Sequence, residues 1–213
     1  MLRVAPGPVD GAVTLTLDRP EKRNALSIAL RDAVSDALDA LRDDTSVRCV
    51  VLTGAGDVFS AGFDLGEFSS ADPGVLWASS DRFHHAVLRC PVPTVAYVNG
   101  PALAGGFDLA CLCDLRVAAP SARFAHPEQR FGDVVYSVLH DLCGGAVARD
   151  LCFTGRPVSA EDALRLGIVS SIDASADALV AEICAAPREF LVRTKAKAIA
   201  RTGIAESTAT LDL

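Results

Sequence analysis

Asp108 closes the stretch GPALAGGFD, in which Gly100, Gly105 and Gly106 leave an apolar run with little side-chain bulk. Glycine carries no Cβ, so a ligand can approach such a main chain closely. Where the turn leads into a helix, unpaired N–H groups and the helix dipole face an incoming negative charge. A second turn, within VVLTGAGDVFSAGFDL, carries Gly54, Gly56 and Gly62 after another apolar run. Amides from two such turns can clamp one oxygen, which is how an oxyanion hole is built. Two acids complete the pattern. Asp108 lies about one helical turn past Gly105, and Glu128 follows a proline in HPEQRFG. Carboxyl groups paired against apolar walls have their proton affinities pushed apart, one poised as acid and the other as base. Beside an oxyanion hole, they suit proton transfer at a carbon next to a carbonyl, through an enolate. Each part also has a plainer use, since Asp caps helices and a Glu after Pro sits in solvated loops. The functional reading rests on both turns and both acids occurring in one chain in this order.

The elements that must position these residues show in the periodicity. GAVTLTLDR (11–19) alternates and is β-branched, a strand pattern. NALSIALRDAVSDALDALRDD (24–44) repeats Leu26, Leu30, Ala33, Val34, Ala37, Leu38 and Leu41 at three- and four-residue steps. That predicts an amphipathic helix, with Asn24 as its cap. VRCVVLTG (47–54) and PTVAYVNG (93–100) are continuous apolar runs, the mark of strands covered on both faces. FDLACLCD reads as helical, LRVAAP (115–120) as a short strand and SARFAHPE as extended. Helices are expected within 137–153, at SAEDALRLG (159–167) and from Ala176 to about Thr202, with a strand at IVSSID. Strands interleaved with helices mean α/β. Segment 66–91, which holds Trp77 and the pair His84–His85, is expected to be a mobile, partly helical lid. The organisation expected is one structural domain, a core over 1–173 with a short helical segment over 174–213.

Composition narrows the partners. The 213 residues are 50% hydrophobic and 22% charged, with a net charge of −7 and no basic block, which argues against nucleic acid. No apolar run nears the ~18 residues that span a bilayer, and MLRVAPGPVDG lacks the apolar stretch of a signal peptide. Seven scattered cysteines suggest reduced thiols and a cytoplasmic setting. Cys111 and Cys113 read as buried small hydrophobes, and no metal site is expected. GAGDVF lacks the third glycine of a dinucleotide turn, GPALAGG has Phe107 where a P-loop needs lysine, and no G-x-S-x-G occurs. His126 is read mainly as a neighbour of Glu128, and His84, His85 and His140 as surface or helix-face residues. RTKAKAIAR (193–201) is read as a solvated helix face, with Lys195 and Lys197 as lesser candidates for a phosphate contact.

Four segments in this order resemble the crotonase family, the enoyl-CoA hydratases and isomerases. They are RPEKRNAL (19–26), VVLTGAGDVFSAGFDL (50–65), PTVAYVNGPALAGGFDLACLCDLRVAAPSARFAHPE (93–128) and LCFTGRPVSAEDALRLGIV (151–169). The resemblance implies a spiral of ββα units with C-terminal helices for trimerisation, often paired into a hexamer. It implies an acyl-CoA thioester as ligand, with coenzyme A as part of the substrate and no separate cofactor. By the same resemblance the oxyanion amides fall on Phe63 and Gly105, and the two hydratase acids on Asp108 and Glu128. Lys22, Arg23, Ala61, Asp64 and Leu65 become the coenzyme A contacts, with Ala61 meeting the adenine through its backbone.

The chain departs from the family pattern in three places. Asp108 is one methylene shorter than the usual glutamate, reaching about 1 to 1.5 Å less far. An Asp followed by a Glu at this spacing is also similar to the dienoyl-CoA isomerases, which add an aspartate where this chain has Tyr136. FGDVVYSVLHDLCGG replaces a Pro-Gly-x-Gly-Gly segment, and the carboxyl end is short. The activity implied is hydration or dehydration of a 2-enoyl-CoA. The alternatives are enoyl- or dienoyl-CoA isomerisation, and an acyl-CoA-binding or accessory subunit without chemistry.

Overall fold

The computed structural model describes residues 1–130 and 132–202. Phe131 and the end of the 174–213 segment lie outside these residues. The chain begins with strands β1 (Leu2–Pro6) and β2 (Ala12–Leu17), then helix α1 (Ile28–Leu41) and β3 (Cys49–Gly54). Helices α2 (Leu65–Phe68) and α3 (Pro73–Leu88) follow, then β4 (Thr94–Val98), β5 (Ala102–Leu103), α4 (Gly105–Leu112), β6 (Leu115–Ala118) and β7 (Arg123–Ala125). The remainder is α5 (Ser137–Thr154), β8 (Val158–Ser159), α6 (Ala160–Arg165), β9 (Ser171–Ile172), α7 (Asp177–Cys184) and α8 (Arg188–Thr202). A main sheet runs in the order β1-β2-β3-β4-β6-β9, parallel throughout except for the β1–β2 pair. A small sheet, β5-β7-β8, stands apart from it.

The continuous apolar runs do make strands covered on both faces. Successive side chains of a strand point to opposite faces. Val50 and Leu52 of β3 enter the large core with Leu15, Leu30, Phe83 and Leu109, while Cys49 and Val51 meet Ala176, Val180 and Cys184 on the other side. Helix α7 therefore covers a sheet face, and α8 is fastened close by. Arg188 donates to the Val47 and Arg42 carbonyls, and Lys195 pairs with Asp114 at 2.7 Å.

Four expectations need correction. Ser27, not Asn24, caps α1 by accepting from the Leu30 N–H. Asn24 instead takes a left-handed conformation (φ 54°) and is fully buried; its Nδ2 donates to the Ala55 and Val58 carbonyls, and its Oδ1 accepts from the Arg19 N–H. Segment 66–91 is a wall of the core, not a lid: α3 packs on α1 and α4 and buries Leu76, Phe83 and Val87. Lys195 is buried and ion-paired, so RTKAKAIAR is not wholly a solvated face, and its ammonium is unavailable for a phosphate. His84, expected on a surface or a helix face, lies on the buried face of α3 at 1% exposure, not at the surface. The helix expected within 137–153 forms as α5 but breaks at Gly144 (φ 75°).

Candidate active site

Parallel neighbours β3 and β4 end side by side, so the glycine turns that follow them meet beyond the same edge of the sheet. Asn99 ties them together, accepting from the Gly54 N–H and donating to the Gly56 carbonyl. Further on, Ser60 pairs with Ala102, the Phe59 N–H donates to the Pro101 carbonyl and the Leu103 N–H donates to the Ser60 carbonyl. Glycine is required where they touch. A Cβ at Gly62 (φ 86°) would meet Ala104 Cβ at 2.7 Å and the Gly105 nitrogen at 3.1 Å. A Cβ at Gly105 would strike the Phe63 ring at 2.8 Å.

Phe63 and Gly105 are thereby brought together, as expected of them. Among the described residues neither of their N–H groups donates to a protein acceptor. Gly105 opens α4, so its amide belongs to the unpaired first turn, where the helix dipole adds positive potential. Ahead of it Ala104 holds φ 51° and ψ −133°, a backbone region that an L-residue enters only under strain. The Phe63 ring is fixed from behind by Arg31, whose guanidinium lies 4.4 Å from the ring centroid. Arg31 is itself buried and donates to the Leu26 and Leu76 carbonyls and to Ser79 Oγ.

The acids meet beside these amides. One turn into α4, Asp108 is 5% exposed, and its Oδ1 lies 2.9 Å from His126 Nε2. Donor atoms of Asp108, His126 and Glu128 all fall within 4.8 Å of one another. Burial disfavours charge on His126, but the Asp108 carboxylate outweighs it and raises the imidazole to about 10. His126 is thereby held towards its charged form against Asp108 Oδ1. Glu128 is the opposite case. Desolvation pushes it up to about 7, although its Coulombic attraction to His126 works the other way. Its Oε2 is buried and unpaired, so the carboxyl faces the interior.

The residues assigned to coenzyme A gather on one rim. Lys22 and Arg23 are exposed, and the Arg23 carbonyl accepts from the Ala61 N–H at 3.0 Å. Ala61 therefore has its carbonyl, not its N–H, left to offer a ligand. The Asp64 carboxylate caps α2 through the Gly66 N–H and pairs with Arg19 at 3.1 Å, while Leu65 is 68% exposed.

Sequence reasoning gave His126 only a lesser role beside Glu128, read His84 as a surface or helix-face residue and did not single out Arg31. One signal was present for His126, which stands two residues before Glu128 in a stretch whose sequence reads as extended, although the chain turns into a short 3-10 helix over Pro127–Arg130. Arg31 sits on the buried face of an amphipathic helix, a placement that calls for hydrogen-bond partners.

The family model described as Enoyl-CoA hydratase/isomerase matches residues 9–210. The chain belongs to this family. A putative enoyl-CoA hydratase of Thermus thermophilus is 41% identical over 181 residues, spanning 81% of this chain and 70% of that protein. A carnitinyl-CoA dehydratase of Salmonella arizonae is 39% identical over 178 residues, 78% of this chain and 65% of that protein. Among solved structures, an enoyl-CoA hydratase from Mycobacterium smegmatis superposes with a TM-score of 0.83 at 37% identity, covering 92% of this chain and 80% of that one. The family fold, an α/β crotonase architecture, is thus the fold of this chain. No helix among the described residues is long and apolar enough to cross a membrane.

Proposed function

We propose that this chain adds water to, or removes it from, the α,β double bond of an acyl-CoA thioester. The observation that carries this reading is the separation of the Asp108 and Glu128 carboxyl oxygens, at most 4.8 Å. One water at ordinary hydrogen-bond lengths of about 2.8 Å reaches both. In this scheme the Phe63 and Gly105 amides hold the thioester oxygen. The water oxygen bonds to Cβ, and its proton passes to the carboxylate pair. The π electrons move through Cα onto the thioester oxygen as an enolate, and the Glu128 carboxyl protonates Cα when the carbonyl re-forms. Each amide donor is worth about 3 kcal/mol of barrier, the usual effect of losing one. Lys22 and Arg23 supply cations for the coenzyme A phosphates, and Ala61, Asp64 and Leu65 line the path of the nucleotide end.

A second reading has one observation in its favour. Asp108 already gives one oxygen to His126, leaving Glu128 as the acid of the pair that titrates near neutrality. A single carboxylate that lifts a proton from one carbon and returns it to another is a double-bond isomerase. A binding protein without chemistry fits less well, because the unpaired oxygen of Glu128 is turned inward.

Incubation with a panel of enoyl-CoA thioesters in deuterated water separates these readings. A mass gain of one water supports the hydratase. Exchange of a carbon-bound hydrogen without that gain supports the isomerase. Thioesters that bind unchanged support the binding protein and overturn the proposal. Homotrimer or hexamer assembly belongs to the same proposal, and sedimentation of the purified chain tests it.

A further inference from the structure

Buried polar atoms without partners are rare, and each asks for an explanation. Among the described residues four side-chain atoms are in that condition: both ring nitrogens of His84, His126 Nδ1 and Glu128 Oε2. All belong to the surroundings of Asp108. His126 bonds it, Glu128 lies within 4.8 Å of it, and His84 is electrostatically coupled to it. The proposed chemistry uses Glu128 and gives His126 a role in holding Asp108, but it leaves the two nitrogens of His84 unexplained.

His84 projects from α3 towards the Phe63 ring, beside the turn that the proposed scheme aims at the thioester. Its ring centroid lies 6.4 Å from that of Phe63, whose amide holds the thioester oxygen in the proposed scheme, and 5.6 Å from that of Phe83. Desolvation lowers its basicity to about 4 even with Asp108 and Asp81 pulling the other way, so the ring is neutral. A neutral imidazole offers one donor and one acceptor. Arg31, the nearby cation, is occupied with the Leu26 and Leu76 carbonyls and Ser79, so it does not complete the pair.

We infer that His84 is a specificity-determining residue that hydrogen-bonds a neutral polar group, a hydroxyl or a ketone, on the acyl chain of the thioester. This rests on the acyl-CoA reading above. A purely hydrocarbon chain beside His84 would keep both nitrogens desolvated and unpaired. A hydroxyl pairs one nitrogen of such a ring, as acceptor from its N–H or donor to its lone pair, and a ketone accepts from the N–H. Sites built to pair a substrate hydroxyl reject analogues that lack it, because their own polar groups are then stranded.

The test uses the full chain with 2-enoyl-CoA thioesters matched in length, with and without a hydroxyl or ketone at successive carbons beyond the double bond. The wild-type kcat/KM is expected to favour one polar member by roughly five- to a hundredfold, the range set by leaving a buried group unpaired. His84→Leu should bring the ratio close to one, mainly by loss on the polar thioester, and His84→Asn should restore part of it. An equal ratio in wild type and His84→Leu overturns the inference, and so does a wild type that prefers the hydrocarbon chain. If no thioester is turned over, calorimetry with the saturated pair decides. Tighter binding of the polar member keeps the inference while the reaction proposed above falls, and equal binding ends both.

Discussion

His126 Nε2 and Asp108 Oδ1 lie 2.9 Å apart, with their side chains 1% and 6% exposed, in a pair joining β7's exit to the first turn of α4. Truncating one member of such a pair strands the other charge, at a cost of about 3–5 kcal/mol. His126→Leu should therefore lower the unfolding free energy by about that amount. Changing Asp108→Asn in the same chain should recover much of the loss, since the stranded charge is gone. Urea titration of the two singles and the double gives the coupling directly. Additive losses would show that the pair holds nothing together.

Glu128, raised to about 7 by desolvation, sets a pH signature. Hydration as drawn needs its carboxyl protonated, and the proton count is conserved across the reaction. So kcat/KM in both directions should fall together as pH rises through about 7. An isomerase needs the carboxylate, and its rate would fall as pH drops through the same value. For stability the sign follows from proton binding. The fold holds this proton more tightly than the unfolded chain, whose carboxyl titrates at 4.5. Its contribution is therefore present below about 4.5 and lost as pH rises towards about 7. Glu128→Gln should abolish turnover, remove the limb from any residual rate and leave coenzyme A affinity nearly unchanged.

Ala104 at φ 51° stores strain immediately before the Gly105 amide. Glycine takes such angles without a Cβ clash, although it loses more freedom on folding. Ala104→Gly should raise the unfolding free energy by about 0.5–1 kcal/mol, the difference between those effects. A denaturation midpoint that moves down instead would mean the angle is not held against resistance.

Lys195 joins α8 to the start of β4 through Asp114, which also accepts from the Thr94 N–H and hydroxyl. Its 4% exposed side chain donates to the Val92 carbonyl as well. Lys195→Met should cost about 3 kcal/mol of stability and leave KM for the thioester unchanged. A raised KM in a fully folded variant would return this lysine to the ligand.

How much of this was open to the sequence depends on the kind of signal each residue carries. The runs at 47–54 and 93–100 became β3 and β4 because parallel strands buried on both faces have no polar side to confuse the pattern. The meeting of Phe63 with Gly105 was inferred from paired glycine turns and from family likeness, and the tight contact at Gly62 gives the physical reason. His84 was misplaced because a histidine in an amphipathic stretch reads as polar, while its burial is decided by what α4 and Phe63 bring against it. Asn24 was misread because a capping residue and a turn residue share one chemistry, and only the distant carbonyls of Ala55 and Val58 separate them. Strands β5, β7 and β8, of two or three residues each, are too short to carry a period.

Arg31 has one more implication, mechanical in kind. Two of its three hydrogen bonds pin the start of α1 to α3, the third holds the Leu26 carbonyl, and its face supports the Phe63 ring. Making room for a bulky guest by swinging α3 outward would therefore tear a desolvated guanidinium from its acceptors. Helix α2 buries no residue and is moored to α1 by a single bond from the Ile28 N–H to Glu67. Of the two helices beside Phe63, α3 is thus fastened far more firmly to α1 than α2 is.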